Sequence, residues 1–180
     1  LWQAADPYFE SIVAVLDDAG NELVTRRQSQ ASPPNYILRT LGKSKVTPLT
    51  DFPDPAPQFA DVHKEIIRYQ RADGLALSAT LYLPPGYDSR KDGPLPTVFW
   101  AYPSEFKSRA DAAQVTSSEN TFSRPAGSSV LFMLLAGYAV VDNPKIPIVG
   151  EGDVEPNDDY VGQLVTGAQA AVDKVVQMGV

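Results

Sequence analysis

Histidine and cysteine, which carry much of the acid–base, nucleophilic and metal chemistry of proteins, are nearly absent from this chain. The 180 residues include a single histidine, His63, and no cysteine. A thiol nucleophile, a disulfide, an iron–sulfur cluster and a cysteine-based zinc site are therefore excluded. The imidazole of His63 would suit proton transfer near neutral pH. Because it stands at the start of a predicted strand, we expect a structural or solvated side chain instead. With one histidine and no cysteine, we expect no transition-metal site.

A second candidate is a run of alternating carboxylates and an amide, formed by Asp153, Glu155, Asn157 and Asp159. Calcium loops alternate oxygen ligands in this way, with glycine at the sixth position and glutamate at the twelfth. Counted from Asp153, those positions hold Asp158 and Leu164. We therefore expect no metal and no cofactor, and expect Asn157 or Asp158 to be the N-cap of a helix. A calcium-binding protein remains a third hypothesis, which predicts a Ca²⁺-dependent rise in melting temperature.

The charge and the apolar runs exclude two broad classes. Fifteen basic and 22 acidic residues give a formal net charge of −7, which argues against a general nucleic-acid binder. The longest apolar run, 130–141, has twelve residues, whereas a membrane span needs about 20. The chain begins at Leu1 rather than Met, so we expect a piece of something longer. The compartment stays open between cytoplasm, periplasm and an organelle.

Short strands separated by turns predict β structure over the first sixty residues. The predicted strands cover residues 9–16, 22–27, 36–41 and 44–49. Such spacing is typical of a sandwich, a barrel or a propeller blade. One blade cannot bury its own faces and needs neighbours. Prolines 53, 55 and 57 then predict an extended linker, with a domain boundary near residues 58–62.

The pattern changes after this linker. Residues 63–71 and 75–83 alternate like the strands of a hairpin around an Ala-Asp-Gly turn. The apolar runs 97–102 and 138–142 predict two strands buried in a sheet, the first on both of its faces.

The segments between and after these strands predict two loops and two helices. A polar loop over 103–127 precedes a short helix from Ser128 or Ser129 to Ala136, with Gly137 after its end. A loop over 143–157 precedes a helix over 158–179. Its apolar positions follow helical spacing and predict its buried face: Val161, Leu164, Val165, Ala168, Ala171, Val172, Val175 and Val176. The order strand, helix, strand, helix predicts an α/β domain with an incomplete parallel sheet.

Several segments resemble prolyl-oligopeptidase-type serine peptidases. RADGLALSATLYLPPGY at 71–87 and LPTVFWAYP at 95–103 resemble the entry to the hydrolase domain of that family. GEG at 150–152 with EPND at 155–158, TDFPDP at 50–55 and PPNY at 33–36 resemble its glutamyl-endopeptidase branch more specifically. The resemblance therefore covers nearly the whole chain.

The resemblance implies a mixed fold with two domains. Residues 1–60 would be the C-terminal part of a β-propeller, with blade-like strands and a Pro-rich linker. Residues 61–180 would be the N-terminal part of a three-layer α/β-hydrolase domain, left incomplete at Val180. The strand at 97–102 would then have an unpaired apolar edge, so we expect the isolated chain to self-associate.

The implied activity is peptide-bond hydrolysis by acyl transfer from a serine, with cleavage after glutamate as the finer expectation. A nucleophile elbow needs G-x-S-x-G, and the nearest segment, 127–131, has Leu131 in place of the second glycine. In α/β-hydrolases the acid and base follow the serine in the chain. Nucleophile, acid and base are therefore expected outside this chain, and whether the chain itself is an enzyme stays open.

One catalytic position carries over from the resemblance, Tyr102. At the matching place in the family, a tyrosine hydroxyl donates to the developing oxyanion; the alternative is an aromatic side chain packing at a strand end. Related enzymes often have a glycine after this tyrosine, where this chain has Pro103. Arg109 and Arg124 follow in the loop and are weaker candidates for binding an acidic substrate side chain; solvated loop charges are the alternative.

Two readings of function follow. In the first, the chain is part of a serine peptidase, whose partners are a peptide substrate and the remainder of the propeller and hydrolase domains. In the second, it is a non-catalytic binding or scaffold module derived from that fold. Neither reading includes a nucleic-acid partner or a membrane span. A G-x-S-x-G motif after Val180 would favour the enzyme.

Overall fold

The computed structural model describes residues 2–43 and 46–180, which divide into two compact units. The first contains the residues up to Ala60 together with Ser118–Arg124. The second contains Asp61–Ser117 and Pro125–Val180. Strands and helices both occur, as the sequence predicts for a mixed fold.

The first unit holds an antiparallel sheet in simple sequential order. Its strands are β1 (Phe9–Val15), β2 (Glu22–Gln28), β3 (Asn35–Thr40) and β4 (Val46–Pro48). All four predicted strands are present with bounds that differ by at most two residues, and residues 44 and 45 of the fourth prediction lie outside the described part of the chain. A 3₁₀ helix over Pro57–Phe59 ends the linker.

A buried ion pair lies within this sheet, whereas apolar residues of its edge strand β1 are exposed. Arg39 on β3 contacts Glu10 on β1 at 2.8 Å, and the Glu10 side chain is only 1% exposed. Apolar residues of β1, by contrast, are more than half exposed, among them Ile12, Val13 and Val15. The sheet therefore has apolar surface that its own unit does not cover.

The second unit is built from six strands. They are β5 (His63–Gln70), β6 (Ala76–Leu83), β7 (Thr97–Trp100), β8 (Ser104–Phe106), β9 (Ala139–Asp142) and β10 (Pro147–Val149). The main sheet has the order β5-β6-β9-β7, in which β7 runs parallel to β9 and the other neighbours are antiparallel. β8 and β10 form a separate parallel pair.

Helices complete the second unit. The α-helices of the described residues are α1 (Ser89–Asp92), α2 (Arg109–Ala112) and α3 (Tyr160–Gln177), with 3₁₀ helices over Val130–Ala136 and Pro156–Asp159. The short helix predicted up to Ala136 is confirmed as the 3₁₀ helix over Val130–Ala136. Ser129 is its N-cap, because the Ser129 hydroxyl accepts from the Leu131 amide at 3.3 Å. Gly137 follows it in the left-handed conformation, with φ +83°.

The prediction of a strand over 97–102 is partly wrong. β7 ends at Trp100, and its residues are not buried on both faces, because Trp100 is 63% exposed. The reason is position in the sheet: among the described residues β7 pairs only with β9 and so lies at an edge.

The two predicted loops are also partly wrong. The segment 103–127 contains β8 and α2, and the segment 143–157 contains β10. These strands have three residues each and pair across a long stretch of chain, so no local periodicity marks them.

The start of the last helix differs from the prediction as well. Asp159, rather than Asn157 or Asp158, is the N-cap of α3. Asp158 belongs to the preceding 3₁₀ turn, where its carboxylate accepts from the Glu155 amide at 2.9 Å. The proline at 156 starts that turn.

The core of the second unit lies between α3 and the main sheet. A cluster of buried side chains joins them: Ile67, Ala79, Leu81, Val141 and Val175. The face of α3 that packs is narrower than the sequence predicts. Its buried residues are Gly167, Ala171 and Val175, whereas the predicted face also includes the exposed Val161, Val165, Val172 and Val176.

Candidate functional site

The carboxyl ends of β7 and β9 lie side by side, because these strands are parallel. Trp100 and Asp142 are opposite each other in the register, and the amide of Asn143 donates to the carbonyl of Trp100 at 2.8 Å. Asn143 has φ +49°, a left-handed conformation that turns the chain away from the sheet. In open α/β sheets, ligands bind outside this edge.

Tyr102 lies two residues beyond the end of β7 at this edge. Its side chain is 84% exposed, so it does not pack into a core. The backbone on each side is fixed, because the Trp100 carbonyl accepts from Asn143 and the Ser104 amide donates to Ile146 at 3.2 Å. The chain thus passes from the main sheet to the β8–β10 pair with an exposed phenol between them. Its role at an oxyanion stays a prediction.

Asp142 is the titratable group nearest the end of β9. Burial raises the pKa of its carboxyl above the ordinary value. A hydrogen bond from the Asn143 amide and the charge of Lys64 act in the opposite direction but do not cancel the effect. The Lys64 side chain lies over the ring of Tyr82, 5.9 Å from its centroid.

A buried arginine organises the polar contacts near the β5–β6 turn. Arg71 is 5% exposed, and its guanidinium donates to both carboxylate oxygens of Asp73, at 3.0 and 2.9 Å. It also donates to the carbonyl of Pro147 at 2.9 Å and to the side-chain oxygen of Gln163 at 3.2 Å. Hydrogen bonds from Arg71 and then Arg109 hold the pKa of Asp73 well below its ordinary value.

The two arginines predicted as substrate ligands have different environments. Arg109 donates to the Asp73 carboxylate at 2.6 Å and to the Asp73 carbonyl at 3.0 Å, so its charge is already paired. Arg124 is exposed and lines a cavity of about 580 Å³ in the first unit. Arg26 lines the same cavity, together with the rings of Tyr36, Phe52 and Phe122 and with prolines. Within the described ranges, neither Arg26 nor Arg124 forms an ion pair.

The other candidate residues lie apart from this edge of the sheet. His63 is exposed at the start of β5, with Nε2 3.4 Å from a carboxylate oxygen of Glu65. Glu155, from the acidic run, pairs with Lys107. In the part of the chain that the structure covers, no group of three or more His, Cys, Asp or Glu residues could hold a metal ion. A helix both long and apolar enough to cross a membrane is not found among the described residues.

Sequence reasoning missed the contacts of Arg71. In the sequence, the segment 71–87 indicates only a family resemblance, and its Asp-Gly pair predicts only a hairpin turn. The partners of Arg71 at Pro147 and Gln163 are 76 and 92 residues away, so no local pattern could have indicated them.

Comparison with known proteins gives relatives along the whole chain, although no protein-family model matches it. The chain is 46% identical over 189 aligned residues to the probable chloroplastic glutamyl endopeptidase of Oryza sativa subsp. japonica. It is 47% identical over 189 residues to the protein of the same name from Arabidopsis thaliana. Each match covers 100% of this chain and 20% of the relative, so the chain spans about a fifth of their length.

A solved prolyl endopeptidase structure resembles the chain at a lower level of sequence identity. The TM-score is 0.58 at 19% identity, covering 94% of this chain and 23% of that one. This likeness concerns the fold alone.

Proposed function

Because the chain belongs to the glutamyl-endopeptidase branch of the prolyl-oligopeptidase-type serine peptidases, we propose that it is a segment of a peptidase that hydrolyses peptide bonds by acyl transfer. The relationship predicted from short segments is confirmed by matches over 100% of the chain. The activity is that of the whole protein. The relatives are about five times longer than this chain.

The proposal includes an assignment of the two domains. Residues 1–60 are the end of a β-propeller with its linker, and residues 61–180 are the beginning of the α/β-hydrolase domain. The sequential antiparallel sheet of the first unit and the exposed apolar residues of β1 support a blade that needs neighbours. The edge position of β7 supports a sheet that continues with further strands.

Tyr102 has the one catalytic role that this chain contributes. A serine outside the chain attacks the scissile carbonyl carbon, its proton passes to a base, and the carbonyl oxygen becomes an oxyanion. The phenol of Tyr102 donates a hydrogen bond to that oxygen. The intermediate collapses as the protonated base gives its proton to the leaving amine. Water then gives a proton to the same base, attacks the acyl group and frees the serine. A donor of this kind is worth about 3–4 kcal/mol.

The observation that carries this role is the combination of an exposed phenol and a fixed backbone. Tyr102 is 84% exposed at the carboxyl edge of the sheet, and hydrogen bonds hold the chain at Trp100 and Ser104. A donor fixed before the reaction stabilises developing charge without reorganisation.

Substrate specificity is the finer part of the proposal. Arg124 is a better candidate than Arg109 for an acidic side chain, because the charge of Arg109 is paired with Asp73. Two arginines and three aromatic rings around one cavity suit a carboxylate on an apolar stem. The relatives are named chloroplastic, which supports an organellar location.

The test is carried out on the native protein. An antibody to this segment should detect a species several times larger than 19.5 kDa, and a fluorophosphonate probe for reactive serines should label that species. A native species of 19.5 kDa that the probe does not label would instead favour a binding module without a nucleophile.

A further inference from the structure

The segment that follows Tyr102 consists of elements too short to be stable alone. β8 has three residues and α2 has four. Isolated helices of such length do not persist in water, and a short strand depends on its partner. Contacts from elsewhere in the chain must therefore hold residues 104–112 in place.

One side of this segment is held by β10. β8 pairs with β10 in parallel, and the amide of Gly150 donates to the carbonyl of Phe106 at 2.9 Å. β10 is itself held by α3, because the Gln163 amide donates to the Val149 carbonyl at 3.0 Å and accepts from its amide at 2.9 Å. Gln163 thus gives β10 the backbone partners that a further strand would supply.

The other side is held by three residues that we call the arginine bridge: Arg71, Asp73 and Arg109. Arg71 is buried against β10 and binds Asp73 through two parallel hydrogen bonds. Asp73 in turn accepts from Arg109 at the first residue of α2. The bridge therefore joins the β5–β6 turn, β10 and the segment after Tyr102.

We propose that the arginine bridge is a positioning device for Tyr102. It fixes residues 104–112 against the sheet, and so fixes the backbone from which the Tyr102 side chain projects. This rests on the proposed role of Tyr102 at the oxyanion. Opening the bridge leaves the C-terminal side of the chain at Tyr102 held by the β8–β10 pair alone, and so loosens it, while the β7 side stays intact.

The proposal assigns the effect to the chemical step rather than to substrate affinity. A misplacement of about 1 Å in a reacting group can cost on the order of 100-fold in rate. An oxyanion donor acts mainly in the transition state, so its misplacement lowers kcat and leaves KM nearly unchanged. Arg109 is accordingly a positioning residue in this account and does not contact the substrate.

The experiment is a double-mutant cycle in the full-length protein with a peptide substrate. Asp73→Asn and Arg109→Gln should each lower kcat about tenfold, with KM changed by less than about twofold. Combined with Tyr102→Phe, either substitution should cause little further loss, because the group it positions has been removed. Arg109→Lys, which keeps the positive charge, should have a kcat between those of Arg109→Gln and the parent. Lys91→Gln, which removes the exposed ion pair with Asp88, is the matched control and should leave kcat unchanged.

Three outcomes would overturn the bridge as a positioning device. One is an unchanged kcat in both bridge variants, and another is an equal loss of kcat with and without Tyr102→Phe. The third is independent of activity and is unchanged amide hydrogen exchange at residues 104–106 in Asp73→Asn and Arg109→Gln. The proposal predicts that this exchange accelerates in both variants. If Asp73→Asn does not fold, Arg109→Gln carries the test, because Arg109 is 39% exposed. A normal kcat in Tyr102→Phe alone refutes the proposed role of Tyr102 at the oxyanion instead.

Discussion

The amide of Asn143 donates to the carbonyl of Trp100 at 2.8 Å, which joins the two parallel strands at their carboxyl ends. This contact has a backbone cost, because Asn143 has φ +49°. Only glycine and, less readily, asparagine and aspartate adopt that conformation routinely. The edge of the sheet that presents Tyr102 thus depends on the residue type at position 143.

We expect Asn143→Ala to lower the free energy of unfolding by about 1–2 kcal/mol, because alanine is disfavoured at positive φ. Asn143→Gly is the control and should cost little, since glycine has no Cβ to clash. Denaturant unfolding of the two variants provides the comparison. Equal losses in both would show that the conformation at this position does not matter.

Removal of the buried guanidinium at Arg71 should be far more costly than removal of an exposed one. Arg71→Leu leaves the Pro147 carbonyl without its donor and the Asp73 carboxylate with Arg109 alone, and we expect a loss of about 1–3 kcal/mol in the free energy of unfolding. Arg68 lies exposed on the same hairpin, and Arg68→Leu should change stability by less than about 0.5 kcal/mol. Similar effects of the two substitutions in urea melts would contradict the importance of the Arg71 contacts.

The partly buried carboxyl of Asp142 should cause the free energy of unfolding to fall as pH rises. Burial raises the pKa of its carboxyl, so the folded state binds the proton more tightly than the unfolded state. The resulting stability is present below the unfolded value of about 3.9 and is lost as pH rises through the raised folded value.

The neutral variant Asp142→Asn should therefore be more stable than the parent at pH 7 but not at pH 3. Unfolding curves from pH 3 to pH 7 measure this difference, with Asp18→Asn, in an exposed turn, as the control. A gain for Asp142→Asn that does not shrink on acidification would show that burial of the charge is not its source.

Because one side of β7 has no partner strand among the described residues, we expect the isolated chain to associate. Trp100 is 63% exposed on a strand that, in the described residues, pairs on one side only. Sedimentation velocity should show oligomers whose fraction rises with concentration. Trp100→Lys should reduce that fraction, because lysine blocks edge pairing. Val115→Lys, at an exposed valine outside any strand, should not. A monomer at all concentrations would contradict the expectation.

The elements that could be predicted from the sequence are those with local signals. The β5–β6 hairpin has alternating apolar residues around an Asp-Gly turn, and the helix after Ser129 has a cap at each end. β8 and β10 have only three residues each, and their pairing depends on contacts between segments about 40 residues apart.

The candidate site divides in the same way. Tyr102 was found through the resemblance of 95–103, although the strand before it ends two residues earlier than predicted. The arginine bridge was not found, because Arg109 meets Asp73 across 36 residues of chain. The position of Arg109 in a predicted loop indicates a substrate ligand. Its contacts with Asp73, which only the structure gives, indicate a positioning role instead.

The most direct test of the account is the rate of peptide hydrolysis by the full-length protein with Tyr102→Phe. Tyr138→Phe is the matched control, because it removes a phenol just before β9, at the opposite end of the same sheet. We predict that Tyr102→Phe lowers kcat by about 100- to 1,000-fold with little change in KM, and that Tyr138→Phe leaves kcat within about twofold. A normal kcat in Tyr102→Phe, or equal losses in the two variants, would contradict the assignment of Tyr102 to the oxyanion.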